Sequence, residues 1–332
     1  LRVGQATLQQ LEGSLTLPVV PPADALPATG AKAGGLQIGL QPSLAGALPG
    51  IRRFFETYPF TCLEQQSSRA LALADPKAWA QLGNALNGYL DSDGLALYYP
   101  PREGDAPRGS DRLTAHLIAA AHEAGQALPD APRERMLQAL GAFVEGRLQR
   151  SGWSPASARG LDLDVRKLAA IEALSRHGRA SARQLQSITI APNLWPTGAV
   201  IDWLRILKRL DGIPNREQRL QEAATLLRAR LTYAGTTLKF STEDADFWWW
   251  QMDSGDANAA RLILAVADDP AWRDELPRLV TGALGRQQRA AWLTTTANLW
   301  GVLALNRFAA LFESQPVAGR TQATLGGATA TH

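Results

Sequence analysis

Cysteine is nearly absent from this 332-residue sequence, which contains Cys62 and no other thiol. A single cysteine cannot close an internal disulfide, and it supplies too few ligands for a structural zinc site. No two of the four histidines have the spacing of a metal-binding pair; they are His116, His122, His177 and His332. The sequence therefore predicts neither a disulfide framework nor a metal site, and it indicates no cofactor.

The sequence also lacks a large excess of charge of one sign and lacks long apolar runs. The 34 basic and 31 acidic residues give a formal charge of +3, and no run of Lys and Arg is long enough to follow a phosphate backbone. No segment approaches the roughly 18 consecutive apolar residues of a membrane span. The opening residues LRVG lack the charged-then-apolar pattern of a signal peptide. We therefore expect no nucleic-acid partner and no membrane span in this chain.

Two kinds of helix alternate along most of the chain. Six segments rich in Ala and Leu, with almost no charge, begin at residues 62, 113, 163, 196, 256 and 295, and more charged, amphipathic segments lie between them. A helix that is apolar nearly all round is buried, whereas a helix with one apolar stripe covers a surface. Six such hairpins predict an all-α fold, an (α/α)6 toroid of six inner and six outer helices.

The ends of the chain differ from this helical body. Residues 1–45 alternate apolar and polar residues on either side of the loop PPADALPATGAKAGG, which predicts two strands. From Leu48 onward the apolar spacing becomes helical. We expect a β segment over residues 1–45, a helical domain over residues 46–314 and a return segment over residues 315–332.

Aromatic residues are concentrated in the loops that precede the inner helices. These loops are DSDGLALYYP, SGWSP, NLWP, FWWWQMDSGD and RAAWLTT. Because each lies near the same end of an inner helix, together they predict an aromatic-walled face at one mouth of the ring. The candidate lining residues are His116, Trp248, Trp249, Trp250 and Met252, although packing is the simplest role for any one tryptophan and a structural role the simplest for His116.

Cys62 stands at the start of the first inner helix, and Thr61 before it is an acceptable N-cap. Helix N-termini favour a thiolate through the dipole and the free backbone N–H groups, so we expect Cys62 to be a better nucleophile than an average buried thiol. Gln65 lies one helical turn later, where side chains are neighbours. Attack of the thiolate on the Gln65 amide, with loss of ammonia, would give an internal thioester.

Such a bond places further demands on the same segment. Glu64, between the two residues, is the nearest candidate for handling protons. Bulk water would hydrolyse the thioester, so the site needs shielding, for which Tyr58 and Phe60 are the candidates. A lone cysteine with apolar neighbours is, however, commonly an inert packing residue, and Cys-x-x-Gln also arises by chance. Spacing alone leaves both interpretations open.

Longer motifs around these residues resemble the alpha-2-macroglobulin and complement family. The segment YPFTCLEQQSSR is similar to its thioester motif, and Cys-Leu-Glu-Gln is the form typical of bacterial members. GSDRLTAH, DSGDANAARLILAV and TTTANLWGVLAL resemble later helix starts of the same domain, so the resemblance covers about residues 46–314. It implies a thioester domain, which in this family is also an (α/α)6 toroid.

The resemblance implies a broad protease inhibitor rather than an enzyme. Cys62 and Gln65 would form the bond, and an attacking protease would be captured covalently through its lysine amines or hydroxyl groups. Complement relatives place a histidine before the third inner helix that directs the acyl group to hydroxyls, and the corresponding stretch SGWSPASARGLDLD contains none. Lysine amines are therefore the expected targets, and Tyr58 matches a shielding tyrosine of bacterial relatives.

The same resemblance implies a setting for the chain. The end segments 1–45 and 315–332 would belong to a flanking CUB-like or macroglobulin-like β-domain of a longer protein. Bacterial relatives face the periplasm and are often anchored, so we expect a periplasmic protein with an inner-membrane anchor outside this sequence. The expected partners are target proteases and the flanking domains of the same chain, and we expect a monomer that serves bacterial defence.

Two hypotheses of other classes stay open. Rings of this kind also carry glycan hydrolases or lyases with paired carboxylates, for which the candidate pairs are Asp162 with Asp164 and Asp253 with Asp256. Acidic residues at helix starts are more commonly N-caps than catalysts. The other alternative is a toroid that serves as an interaction module without a working thioester.

Overall fold

The computed structural model describes residues 43–44, 48–235, 237–241, 248–313, 322–325 and 327–331. Within these ranges the chain forms eleven α-helices and four short strands, which confirms the predicted all-α class. The predicted β segment over residues 1–45 lies outside the described residues, apart from Ser43 and Leu44. The domain boundaries at residues 45 and 314 therefore stay predictions.

The α-helices follow one another along nearly all of the described body. They are α1 (Pro49–Thr57), α2 (Leu63–Ala72), α3 (Pro76–Ala85), α4 (Asp111–Glu123), α5 (Asp130–Val144), α6 (Arg159–Ser175), α7 (Thr197–Arg209), α8 (Arg216–Ala229), α9 (Gly255–Val266), α10 (Leu276–Leu284) and α11 (Thr295–Phe312).

Six of these helices close into a ring. Contacts run from α2 to α4, α6, α7, α9 and α11 in turn, and α11 packs back against α2. These are the six apolar segments predicted as inner helices, and each begins within a few residues of its expected position. The largest difference is at α6, which begins at Arg159 rather than at residue 163, because the 3₁₀ turn Ala156–Ala158 leads directly into it.

The outer layer departs from the prediction at one place. Helices α1, α3, α5, α8 and α10 each precede an inner helix, but the fourth outer position, between α6 and α7, holds only the 3₁₀ helix Ala182–Ser187. A capping box between Ser181 and Gln184 begins the short helix there, and Pro192 starts the next 3₁₀ turn soon after it ends. The outer layer of the described chain is thus five α-helices and one short 3₁₀ helix.

Burial separates the two layers as the sequence pattern predicts. In the inner helix α4 every residue from Leu113 to Ala121 is buried, whereas the outer helix α8 buries only Ala223 and Leu227. Small alanines let the inner helices approach one another closely, and the larger apolar side chains fill the space between the layers. The core therefore lies in the wall of the ring.

Helices α2, α4, α9 and α11 begin at the same end of the ring, because side chains at their starts contact one another in pairs. Thr295 at the start of α11 donates to Glu64 at the start of α2, and Arg112 at the start of α4 donates to Asp253 just before α9. We call this end the N-terminal mouth; Cys62, Ser110, Ser254 and Thr294 are the N-cap residues of α2, α4, α9 and α11 there.

Two β-hairpins complete the described chain. Strands β1 (Leu231–Ala234) and β2 (Thr237–Phe240) pair antiparallel and pack on α10. Strands β3 (Gln322–Leu325) and β4 (Ala328–Thr331) form a second antiparallel hairpin inside the predicted return segment. Among the described residues, no helix is both long and apolar enough to cross a membrane.

Candidate functional site

Cys62 is the N-cap of α2. Its backbone is extended, with φ −69° and ψ 169°, and its carbonyl oxygen accepts the first helical hydrogen bond, from the Gln66 backbone N–H at 2.9 Å. The predicted N-cap, Thr61, is therefore wrong by one residue, since the helix begins at Leu63. A cysteine at this position points its side chain along the first turn, where the backbone N–H groups are free.

Cys62 and Gln65 bind each other in both directions. The backbone N–H of Cys62 donates to Gln65 Oε1 at 2.9 Å, and the backbone N–H of Gln65 donates to the Cys62 side chain. This is a capping box in which a thiol replaces the usual hydroxyl. The Gln65 amide oxygen is thereby held at the Cys62 backbone N–H at the start of the helix, and reaction between the two side chains stays a prediction.

Burial and the helix position act on the Cys62 thiol in opposite directions. Burial raises the pKa of Cys62 and the nearby Glu64 carboxylate raises it further, while backbone N–H groups of Gln65 and Glu64 lower it. The net pKa lies above the ordinary value of a free thiol, and the expected advantage of Cys62 over an average buried thiol stays a prediction. The physical reason for the raised pKa is that Cys62, only 6% exposed, loses more hydration than the helix terminus returns.

Glu64 joins the first and last inner helices. Its buried carboxylate accepts hydrogen bonds from Ser68 Oγ at 2.7 Å and from Thr295 Oγ1 at 2.9 Å to each oxygen. Burial raises the pKa of this carboxyl, although both hydroxyl groups lower it. A carboxyl with a raised pKa close to Cys62 suits proton transfer, which stays a prediction for Glu64.

Tyr58 contacts the Gln65 side chain. The half-buried phenol hydrogen-bonds to that side chain, and burial, Glu64 and Cys62 together raise its pKa. Phe54 stacks on the Tyr58 ring at 5.2 Å between centroids, and Phe60 meets it edge-on at 5.7 Å. Phe60 is itself 61% exposed, so its contact is with the outer edge of Tyr58. The shielding roles of both residues stay predictions.

Tyr98 belongs to the same site, and sequence reasoning missed it. Its carbonyl oxygen accepts the Leu63 backbone N–H at 2.8 Å, and its phenol hydrogen-bonds to Ser110. Burial, followed by the charges of Glu64 and Cys62, raises the pKa of this phenol to about 12. The available signal was its place in the aromatic loop before α4, which also begins at the N-terminal mouth.

The tryptophan segment lies at the start of α6. Trp248 stacks on Trp250 at 5.0 Å, and the exposed Trp249 lies against Trp153 at 5.3 Å. Trp250 Nε1 donates to Asp162 at 3.3 Å. The tryptophans are therefore held together by contacts with one another and with α6.

The aromatic wall is only partly exposed. The exposed aromatic residues of the loops at the N-terminal mouth are Phe60, Tyr98, Tyr99, Trp153 and Trp249, whereas Trp195, Trp248 and Trp292 are buried in the core. The aromatic-walled mouth therefore stays a prediction, while the buried tryptophans pack as the simpler alternative expects.

His116 and Met252 line a small cavity on the axis of the ring. The His116 ring meets Trp300 edge-on at 5.9 Å. Burial, together with the charges of Arg112 and Arg261, lowers the pKa of His116 to about 3, so the imidazole is neutral. These contacts fit the structural role expected for His116.

Arg112 connects this interior to the Cys62 site. Its Nε donates to the Gln251 carbonyl oxygen at 2.6 Å and its Nη2 to Asp253 at 3.0 Å. Its charge also acts on the Tyr98 phenol, which lies near Cys62. The candidate residues thus form two groups, one around Cys62 and one around the axial cavity, with Arg112 and Tyr98 between them.

The first carboxylate pair is occupied by structural partners. Asp162 accepts from Arg166 at 3.1 Å and from Gln251 Nε2 at 2.7 Å. Asp164 accepts the backbone N–H groups of residues 189 and 190 at 2.8 and 2.9 Å. Side chains two residues apart on a helix do not face each other, so these two acids cannot act on one bond.

The second pair is divided in the same way. Asp253 binds Arg112 and Arg261, at 3.0 and 2.9 Å, and Asp256 binds Arg286 Nε at 2.6 Å. Both pairs therefore stabilise the ring, which disfavours the glycan-cleaving alternative. No cluster of three or more His, Cys, Asp or Glu side chains suited to a metal ion occurs within the described ranges.

No protein-family model and no curated protein matches the chain. Solved structures do match it. Native Escherichia coli alpha-2-macroglobulin, determined by cryo-electron microscopy, is 17% identical with a TM-score of 0.60, over 88% of this chain and 18% of that one. A crystal structure of the E. coli protein from domain MG7 to the C-terminus gives 17% identity and a TM-score of 0.59, over 87% of this chain and 46% of that one.

A third match is a Salmonella alpha-2-macroglobulin that was reacted with methylamine. It is 17% identical, with a TM-score of 0.57, and the match covers 88% of this chain and 19% of that one. At such low identity these structures establish a shared fold. The chain spans less than half the length of each of the three.

Proposed function

We propose that this chain is the thioester-bearing part of a longer, bacterial alpha-2-macroglobulin-like protease inhibitor, and that Cys62 and Gln65 form an internal thioester. The observation that carries the proposal is the reciprocal capping box, because it ties the side chain of each residue to the backbone N–H of the other within the first turn of α2. The fold shared with bacterial alpha-2-macroglobulins supports it independently.

The proposed bond formation is an acyl transfer within the first turn of α2. Cys62 Sγ attacks the side-chain carbonyl carbon of Gln65, the carbon–nitrogen bond breaks, and ammonia leaves with the thiol proton. Negative charge develops on Gln65 Oε1 during this step, and the Cys62 backbone N–H already donates to that oxygen at 2.9 Å. Glu64 carries the proton from sulfur to nitrogen, for which its raised pKa is suited.

The surroundings favour survival of the bond. Cys62 is buried, and the Tyr58 phenol hydrogen-bonds to the Gln65 side chain, which supports the proposed shielding from water. The raised pKa of Cys62 makes its thiolate a poorer leaving group, which slows hydrolysis further. We therefore expect a thioester in this position to stay unreacted until Tyr58 moves away.

Capture of a protease follows by acyl transfer. A lysine amine of the protease attacks the Gln65 carbonyl carbon, an amide bond forms, and Cys62 is released as a thiol. His116 is buried and neutral beside Trp300, and it lies on α4 rather than before the third inner helix. Direct attack by amines is accordingly the proposed chemistry, in preference to transfer through an imidazole.

The remaining features of the proposal concern the longer protein. Its flanking β-domains would cover the N-terminal mouth, and target proteases would be its covalent partners. We place it in the periplasm, with an inner-membrane anchor outside this sequence, and we expect it to act as a monomer. No enzymatic turnover is proposed, because each thioester reacts once.

Intact mass tests the central claim. A formed thioester makes the chain lighter than the encoded mass by one ammonia, and methylamine then adds its own mass and exposes one titratable thiol. Cys62→Ala should have the encoded mass of that variant and ignore methylamine. Gln65→Glu is a near-isosteric control that has no ammonia to lose.

The outcome that contradicts the proposal is equally specific. A native protein with the full encoded mass, a freely titratable Cys62 and no response to methylamine would leave an interaction module as the better interpretation. Glycan cleavage that persists in Cys62→Ala would instead favour the glycan hydrolase or lyase alternative, with the carboxylate pairs as its catalytic groups.

A further inference from the structure

Glu64 is a buried carboxyl group without a cationic partner in the part of the chain that the structure describes. Elsewhere in the ring, buried carboxylates pair with guanidinium groups, as Glu172 and Asp253 do. The hydrogen bonds to the Glu64 carboxylate come instead from the hydroxyl groups of Ser68 and Thr295. A buried charge without an opposite charge is costly, so this site holds a carboxyl that can exist in either protonation state.

Hydroxyl partners suit both of those states. A serine or threonine hydroxyl donates to a carboxylate, and after rotation it accepts a hydrogen bond from the carboxylic acid. An arginine only donates, so it favours the ionised form. A group that transfers protons must be satisfied before and after it takes up the proton. The two hydroxyls therefore let Glu64 change its protonation state without leaving a buried polar atom unpaired.

The two hydroxyls hold the carboxyl from different helices. Ser68 lies one turn after Glu64 on α2, and its Oγ donates to Oε1 at 2.7 Å. Thr295 is the first residue of α11, and its Oγ1 lies 2.9 Å from each carboxylate oxygen. Both residues are buried, and α11 packs against α2. The carboxyl is thus fixed at the contact between the first and the last inner helix.

Neighbouring hydroxyls are engaged elsewhere. Thr294 is the N-cap of α11 and accepts the Ala297 backbone N–H, and Thr296 Oγ1 forms a hydrogen bond with Thr294 Oγ1 at 3.1 Å. Ser67 Oγ donates to the Glu64 backbone carbonyl oxygen at 2.8 Å. In each helix, one hydroxyl of a run of hydroxyl residues bonds to the carboxyl and its neighbour does not. The contrast separates the carboxyl contacts from ordinary helix capping.

We propose that Ser68 and Thr295 are positioning residues for Glu64 in the proposed thioester reaction, on which this inference rests. They hold the carboxyl in the orientation in which it takes the Cys62 thiol proton and passes it to the departing Gln65 nitrogen. In that step a sulfur–carbon bond forms, the carbon–nitrogen bond breaks, and ammonia leaves with the thiol proton. Because one hydroxyl belongs to α11, the proton-handling group is complete only when α11 lies against α2.

The reverse reaction allows bond formation to be timed. Ammonia attacks the Gln65 carbonyl carbon, restores the amide and frees the Cys62 thiol. After gel filtration removes the ammonia, the folded full chain should form the bond again. The loss of titratable thiol, together with the loss of one ammonia from the intact mass, gives the rate. A parent protein that never loses ammonia contradicts the proposed function itself, and not the roles of Ser68 and Thr295.

Thr295→Val and Ser68→Ala each remove one hydroxyl from the Glu64 carboxyl. We expect re-formation of the bond to slow on the order of tenfold in either variant, because the carboxyl is less well oriented. Both hydroxyls lower the pKa of Glu64, so the loss of one raises it. The acid limb of the pH–rate profile, where Glu64 becomes protonated and cannot accept the thiol proton, should therefore move to higher pH. Thr295→Ser keeps the hydroxyl and should stay close to the parent.

Adjacent residues supply matched controls. Thr296→Val and Ser67→Ala remove buried hydroxyls that do not bond to the carboxyl, so the rate and its pH profile should match those of the parent. The proposal is overturned if Thr295→Val and Ser68→Ala behave as these controls do while the parent forms the bond. It is also overturned if Thr295→Ser is as slow as Thr295→Val, because lost packing would then explain the effect. Circular dichroism identifies a variant that fails to fold, and the hydroxyl on the other helix then decides.

Discussion

Cys62 and Gln65 exchange hydrogen bonds across the first turn of α2, from the Cys62 backbone N–H to Gln65 Oε1 at 2.9 Å and from the Gln65 backbone N–H to the Cys62 side chain. The arrangement serves the helix and the proposed reaction together. It satisfies two backbone N–H groups of the helix terminus, and it already places a donor on the amide oxygen where charge would develop in the proposed reaction. The cap thus joins the same two residues that the proposed reaction would use.

Replacing the sulfur should separate these two roles. Cys62→Ser keeps an N-cap of the preferred type, so the free energy of unfolding should be at least that of the methylamine-treated parent, whereas Cys62→Ala should lose about 1 kcal/mol. Both variants should be unable to form the thioester. Urea denaturation measures the stabilities, and intact mass measures the chemistry. Equal stability of the two variants would show that the cap contributes nothing.

Removing the Tyr58 ring should expose the Gln65 carbonyl. In Tyr58→Ala we expect hydrolysis and methylamine uptake to be about tenfold faster, which corresponds to 1.4 kcal/mol of lost protection. Tyr58→Phe keeps the ring and should change the rate far less. Phe60→Ala removes a largely exposed ring that meets Tyr58 in a T-shaped contact, and its rates should stay close to those of the parent. A larger effect for Phe60→Ala than for Tyr58→Ala would reverse these shielding roles.

The fold was predictable from sequence because burial leaves a local pattern. The six inner helices are nearly free of charge, and their starts were predicted within a few residues. The prediction of a fourth outer α-helix was wrong, because the segment between Gly178 and Pro192 forms a 3₁₀ helix instead. Only the tertiary packing decides that a 3₁₀ helix suffices there. The spacing of apolar residues along the chain does not reveal that a 3₁₀ helix replaces an α-helix at this position.

The site was predictable where it depends on neighbours in one helix, and not where it depends on the rest of the ring. Gln65 was expected beside Cys62 because they lie one turn apart. The raised pKa of Cys62 depends on burial beneath other elements, and Tyr98 reaches the site from a loop distant in sequence. The engagement of Asp253 by Arg112 and Arg261 likewise required the closed ring.

Neutralising Glu64 should shift the titration of the thiol. The Glu64 charge raises the pKa of Cys62, so Glu64→Gln should lower it. The pH dependence of iodoacetamide alkylation, measured after methylamine has freed the thiol, should move to lower pH. Ser67→Ala, which removes only a hydroxyl bonded to the backbone, serves as the control. An unchanged profile in Glu64→Gln would mean that the two groups are not electrostatically linked.

Acid should destabilise the protein partly through His116. Its pKa is about 3 in the folded chain and near 6.5 when unfolded, so between these values the unfolded state binds an extra proton. Stability therefore falls as pH drops through this window, by up to about 1.4 kcal/mol per pH unit for this group. His116→Gln should flatten the pH dependence of urea unfolding between pH 6 and 4, measured in roughly constant salt. An equally steep dependence in the variant would assign the acid sensitivity to other groups.

The close contact between Gly301 and the Trp292 ring should make the packing of α11 against α10 sensitive to any side chain at residue 301. A Cβ at residue 301 would lie 2.2 Å from the Trp292 ring, and the indole is held in place by its N–H bond to the Ala283 carbonyl at 2.9 Å. Gly301→Ala must therefore displace a buried aromatic ring, and we expect a loss of about 1–3 kcal/mol in unfolding free energy. Gly141→Ala in α5 is the matched control, because a Cβ there meets nothing within 4 Å and should stabilise the helix by about 0.5–1 kcal/mol. If both substitutions stabilise the protein equally, Trp292 can move freely and does not hold the seam.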